Sequence, residues 1–266
     1  MKTNRVMARI ALICAIAAAG TRLWQDRTCF DPVTGLAAGK GLVLLPLLLL
    51  LSAGLLAASC RAFPPEGENR DPFSQRFAAD SDATALFLMA GVFLLAFSAL
   101  VALFSRGGTA ALLGGLLTLI TAGSLALLFF RLIRRREVPA ALTLVPVGCL
   151  VGRLIADYRA DSVNPVLAAY YPEILATVFF LMAVYQLSAF TFRCGQARRL
   201  SFFAAMSAVL SLAAMAGADH SLSQRLFYEG DAVVSLGILL LCRAPGYRPA
   251  GRHLQKHTAP IHEEVS

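Results

Sequence analysis

Charge is what this sequence has least of. Of 266 residues only 15% are Asp, Glu, Lys or Arg, against 58% hydrophobic residues and a mean hydropathy of +0.67. A soluble domain keeps about 25% charged residues to stay solvated, so a water-exposed globule is excluded. Intrinsic disorder is excluded as well, because a disordered chain needs low hydrophobicity and high net charge. Catalytic signatures are missing: there is no HExxH zinc helix, no GxSxG nucleophile elbow, no P-loop and no GxGxxG. Nor is there a hydrophilic stretch long enough to fold into a nucleotide-binding domain. The ten-residue alternation of barrel strands is absent too. An enzyme is therefore not expected, and no cofactor or metal is implied.

Long hydrophobic runs are what the sequence has in abundance. A membrane-crossing helix needs roughly 20 apolar residues, and eight stretches qualify: 6–24, 41–60, 83–105, 109–130, 138–156, 170–192, 200–218 and 226–242. They are rich in Leu and Ala, which favours helix over strand, and in lipid only helices and closed barrels satisfy every backbone group. The expected fold is all-α, a polytopic membrane bundle of about eight helices over residues 1–242, followed by a basic tail, 243–266, that reads as disordered and cytoplasmic. The first and last spans carry Arg9, and Glu229 with Asp231. Lys2, Arg5 and Arg9 ahead of Ile10–Ala17 also fit a cleavable signal peptide, but apolar character runs on to Trp24, so retention is expected.

The basic residues orient the bundle. With the N-terminus cytoplasmic, 17 of the 24 Lys and Arg fall in inner segments and six in outer ones, and Arg153 lies within a span. Both termini are therefore placed inside. The net charge of +8 is scattered over short loops beside lipid, so anionic headgroups rather than nucleic acid are the expected partners of the inner basic loops, RLIRRR at 131–136 included. Only Cys29 of the six cysteines falls in an outer loop, and none has CxxC spacing, so neither a disulfide framework nor a thiol metal site is expected. His253, His257 and His262 are irregularly spaced in the tail. Gly114, Gly115 and Gly123 in the fourth span, and Ala204, Ala208 and Ser211 in the seventh, offer small surfaces for close helix packing. Pro46 and Pro146 are expected to kink their spans.

In the first outer loop, Asp31-Pro32 starts a turn and Gly35 permits positive φ, so FDPVTG should form a compact reverse loop. Arg22-Leu23-Trp24 followed by Phe30-Asp31-Pro32-Val33-Thr34-Gly35-Leu36 resembles the first outer loop of uncharacterised multi-pass membrane proteins of Gram-positive, clostridial-type bacteria. That resemblance implies a bacterial inner (cell) membrane and carries no activity or functional residues with it.

Ionisable residues inside spans cost about 2.5–3.5 kcal/mol each at a helix centre and need partners, water or an interface. Arg153 and Asp157 are four apart at the outer end of span five. Glu173 opens span six after two tyrosines, and Arg225, Glu229 and Asp231 cluster at the outer start of span eight. Together these six form either an acidic, aromatic-rimmed pocket or a set of ion pairs fastening helix ends. The pocket reading points to a membrane protein that binds or transports a small polar or cationic solute at its outer face. The alternative is an accessory subunit or membrane-embedded sensor, whose partner would be another membrane protein.

Overall fold

The computed structural model describes residues 2–29, 40–61, 77, 82–105, 108–134, 136–161, 167–217 and 220–242. Among the described residues eight α-helices carry the fold: α1 (Lys2–Thr28), α2 (Leu44–Cys60, entered through a 3₁₀ turn at Lys40–Val43), α3 (Asp82–Phe104), α4 (Gly108–Ile133), α5 (Ala140–Asp161), α6 (Leu167–Thr191), α7 (Ala197–Met215) and α8 (Leu222–Leu241). No strand occurs among the described residues. The protein is a polytopic helical membrane bundle. The FDPVTG loop and the 243–266 tail lie outside the described residues.

Helices α3, α4, α5, α6, α7 and α8 pack in sequence order and close into a ring, because α8 returns against α3; α1 and α2 lie outside it, against α7. Helix α1 belongs to the bundle through a small-residue face, since Met7, Ala11, Ala15 and Ala18 are all buried. The Asn4 amide donates to the carbonyls of Leu239 (3.2 Å) and Cys242. The start of α1 and the end of α8 therefore share one end of the bundle, the end to which the basic loops belong. The opposite end is called outer below.

Among the described residues seven helices are long and apolar enough to cross a membrane; α8 is not one of them. It has the length, at 20 residues, but Arg225, Glu229 and Asp231 dilute its hydropathy, and its position between α3 and α7 takes it away from lipid. It also starts a turn earlier than the apolar run suggests. Ser221 Oγ accepts from the Gln224 backbone N–H (3.3 Å), and Gln224 Oε1 accepts from the Ser221 N–H (3.0 Å), a capping box written as S-x-x-Q.

Two packing expectations need correction. Gly115 does sit at a close approach, where an added Cβ would lie 3.2 Å from the Ala99 carbonyl oxygen on α3, but one at Gly114 or Gly123 would meet nothing within 4 Å, so those two glycines are not where helices approach closely. A closer approach is between α3 and α8. A Cβ on Gly91 would lie 2.9 Å from the Val234 backbone nitrogen, and one on Gly230 would lie 2.9 Å from that of Leu95. Glycines spaced along α4 gave no indication of which face looks outward. Pro46, in turn, is the third residue of α2, within the first turn where a missing N–H costs nothing; Pro146 does lie inside α5.

Candidate functional site

Arg153 sits inside the helical ring. It is 8% exposed, and its three partners come from three helices. Its Nε donates to Asp157 Oδ2 at 3.2 Å, one turn along α5; its Nη1 donates to Thr118 Oγ1 on α4; and its guanidinium lies 3.4 Å from the centroid of the Phe227 ring on α8. A cation in this position is held by a carboxylate, a hydroxyl and an aromatic face together.

Beside it a cavity of about 60 Å³ opens between α5, α6 and α8, lined by Arg153, Leu154, Asp157, Glu173, Ile174, Thr177, Gln224 and Tyr228. On α6 the Glu173 side chain is mostly buried, with Oε1 3.3 Å from His220 Nε2. His220 rests over Gly217, where a Cβ would come within 2.6 Å of Nε2. Burial holds the His220 imidazole below its ordinary pKa; the Arg22 and Arg225 charges act in the same direction, while the Ala214 carbonyl and Asp26 oppose. The Glu173 carboxylate favours the protonated ring as well, but Nε2 is not aligned to donate to it, and burial prevails. On α1, Arg22 Nε and Asp26 Oδ1 pair at 3.3 Å.

Of the six residues singled out in the sequence, Arg153, Asp157 and Glu173 line the cavity together. Arg225 and Glu229 do not: both are exposed. The helical turn explains this, because Gln224 and Tyr228 face the cavity, and the residue after each is rotated by about 100° away from it. Asp231 lies deeper and is completely buried. Its Oδ1 accepts from Ser207 Oγ (2.8 Å) and Ser235 Oγ (3.0 Å), and its Oδ2 from Ser211 Oγ (2.5 Å). Ser235 Oγ is also 3.0 Å from Ser207 Oγ.

Thr118, Phe227, Ser207 and Ser235 were not among the residues singled out, and Ser211 was read only as a small packing residue. The signal for the serines was the i, i+4 spacing of Ser207 with Ser211 and of Asp231 with Ser235, on two helices that neighbour each other in sequence. All six cysteines are free thiols, and no cluster of metal-ligating residues occurs among the described residues. No family model matches the chain, and neither a curated protein nor a solved structure matches it.

Proposed function

We propose that this is a non-catalytic, multi-pass protein of a bacterial cell membrane, with both termini cytoplasmic, that binds a small cation at its outer-face cavity. The observation that carries the reading is the cavity itself: two carboxyl groups, Asp157 and Glu173, face one guanidinium, Arg153, around a polar space beside Tyr228. Its size narrows the solute. A water needs about 10–15 Å³ of such space, so about 60 Å³ holds a few waters or one small ion. Organic ligands occupy sites of about 300–1,000 Å³. The bacterial setting rests on the likeness around FDPVTG, and the inner basic loops suit anionic headgroups.

The test is the unfolding temperature of the purified protein in nanodiscs, in sodium or potassium chloride against choline chloride at equal ionic strength. A small cation that binds raises Tm above the choline value by mass action, and Glu173→Gln removes the difference. Equal Tm of the native protein in all three salts would sink the proposal. The close α3–α8 contact at Gly91 and Gly230 favours the second reading, a sensor or accessory subunit, over a conduit. Liposomes that bind the cation without taking it up would support that role.

A further inference from the structure

The site around Asp231 is separate from the outer cavity, and its geometry points to a proton-binding site inside the bundle. Asp231 lies nine residues into α8, about 14 Å from the outer end of the helix at 1.5 Å per residue, near the middle of a membrane-length span. It has 0% exposure. Among the described residues no cation touches it, and the carboxylate's hydrogen-bond partners are serine hydroxyls.

Three of these oxygens form a closed triangle. Asp231 Oδ1 and Ser207 Oγ are 2.8 Å apart, Ser207 Oγ and Ser235 Oγ 3.0 Å, and Ser235 Oγ and Asp231 Oδ1 3.0 Å. Such a triangle satisfies the carboxyl group in both protonation states. With the carboxylate ionised, Ser207 and Ser235 both donate to Oδ1 and Ser211 donates to Oδ2. With one proton added to Oδ1, the acid donates to Ser235, Ser235 turns to donate to Ser207, and Ser207 still donates to Oδ1. One hydroxyl rotation accommodates the proton, no buried donor or acceptor is left without a partner, and no helix moves. A purely structural carboxylate needs the first arrangement only.

The surroundings make the site selective for a proton rather than a larger ion. Hydrogen-bond distances of 2.5–3.0 Å leave no gap between the oxygens, and the α3 face opposite presents Leu95 against Gly230. Helix α7 contributes serines and no charge here. The field that reaches Asp231 from α5 is that of Arg153, held over the Phe227 ring one turn outward. Helix α6 carries its carboxyl group, Glu173, at the cavity. Arg22 and Asp26 of α1 pair near the outer end, and Arg225 and Glu229 of α8 itself are exposed. Tyr228, which lines the outer cavity, is three residues from Asp231, within one helical turn.

This inference does not rest on cation binding at the cavity. It is tested by infrared titration of the full chain in nanodiscs, with the aspartate side-chain carboxyls isotopically labelled. The expected result is a carboxylic-acid carbonyl band that comes and goes with pH and is missing in Asp231→Asn. In Ser235→Ala, which opens the triangle, its midpoint shifts by at least one pH unit, a tenfold change in proton affinity. Superimposable titrations of native protein and Asp231→Asn would overturn the proposal. Where Asp231→Asn does not fold, Ser235→Ala decides alone: a carbonyl-band midpoint identical to that of the native protein would overturn the proposal.

Discussion

Replacing Gly230 by alanine tests the packing on which the interior depends. The new Cβ would lie 2.9 Å from both Leu95 Cγ and the Leu95 backbone nitrogen. The side chain can rotate, but the backbone nitrogen belongs to α3, and Leu95 is fully buried, so the two helices must separate by about half an ångström to restore ordinary contact. Forced overpacking of this kind costs about 1–3 kcal/mol. Alanine returns up to about 1 kcal/mol through its better helix propensity, leaving a net loss of about 1–2 kcal/mol. Gly114→Ala is the control, because its Cβ enters open space and keeps the propensity gain alone. The two variants change the same atoms and should move stability in opposite directions. Reversible unfolding in mixed micelles, followed by circular dichroism, measures both. If Gly230→Ala proved as stable as Gly114→Ala, the α3–α8 contact would not be as close as described.

The other expectations concern single groups. Arg153 and Asp157 should couple in a double-mutant cycle by about 0.5–1 kcal/mol, a figure kept small because the Asp157 side chain is 36% exposed and water screens it; strict additivity of Arg153→Gln and Asp157→Asn would deny the pair. His220 is held below its ordinary pKa, so the unfolded chain binds a proton first as pH falls. Stability should therefore decline once pH drops through about 6.5 and continue down to the folded-state value, by at most about 1.4 kcal/mol per pH unit. A pH–Tm profile unchanged by His220→Gln would contradict this. Arg193 has φ +60 at the α6–α7 turn, with its own N–H bonded to Phe190 O and that of Cys194 to Ala189 O; Arg193→Gly should stabilise by about 1 kcal/mol in thermal unfolding, and a loss would mean that its side chain matters more than its backbone. A cysteine placed at Arg134 should label from the cytoplasmic side only, and labelling from outside would reverse the topology.

Hydropathy located all eight helices because each carries an apolar run close to the roughly 20 residues that a bilayer demands, down to the 17 residues of α2, and that constraint is local in sequence. What it missed depends on polar atoms near the ends. The capping box at Ser221 lengthened α8 by a turn, and α1 runs through Arg22 and Asp26 to Thr28, because an i, i+4 ion pair and Thr28 Oγ1 bonded to the Trp24 carbonyl suit a helix. The site was half legible. Arg153 with Asp157 followed from spacing on one helix, whereas Glu173 joined them through α5–α6 packing that no spacing encodes. Glu229 was misplaced because chain proximity to Tyr228 was taken for spatial proximity, although consecutive helical residues point about 100° apart. Ser211 was legible as a small residue but not as a ligand, since only the α7–α8 register turns Ser207 and Ser211 toward Asp231.

Helix polarity follows position in the bundle. Helix α2, without a charged residue between Leu44 and Cys60, lies at the edge and exposes Leu47, Leu50 and Leu51, as lipid contact requires. Helix α8 carries three charged residues and is packed between α3 and α7. Arg225, in its first turn, lies near the interface, where a charge needs little compensation, and Glu229 is on an exposed face of the helix. Asp231, about 14 Å further in than the helix start by the 1.5 Å rise per residue, would cost about 2.5–3.5 kcal/mol on an insertion scale, and it alone receives three hydroxyl donors from within the bundle. Two of those donors, Ser207 and Ser211, stand on α7, two-thirds of whose span is buried, and the third, Ser235, on α8 itself, so α7 and α8 satisfy each other and the more apolar helices separate them from lipid. A carboxyl group so expensive to bury, and supported by serines that contribute almost no apolar contact, is difficult to explain as packing alone; a pair of leucines would hold α7 to α8 without the cost. The same carboxyl group is explained by a cradle that accepts a proton and releases it.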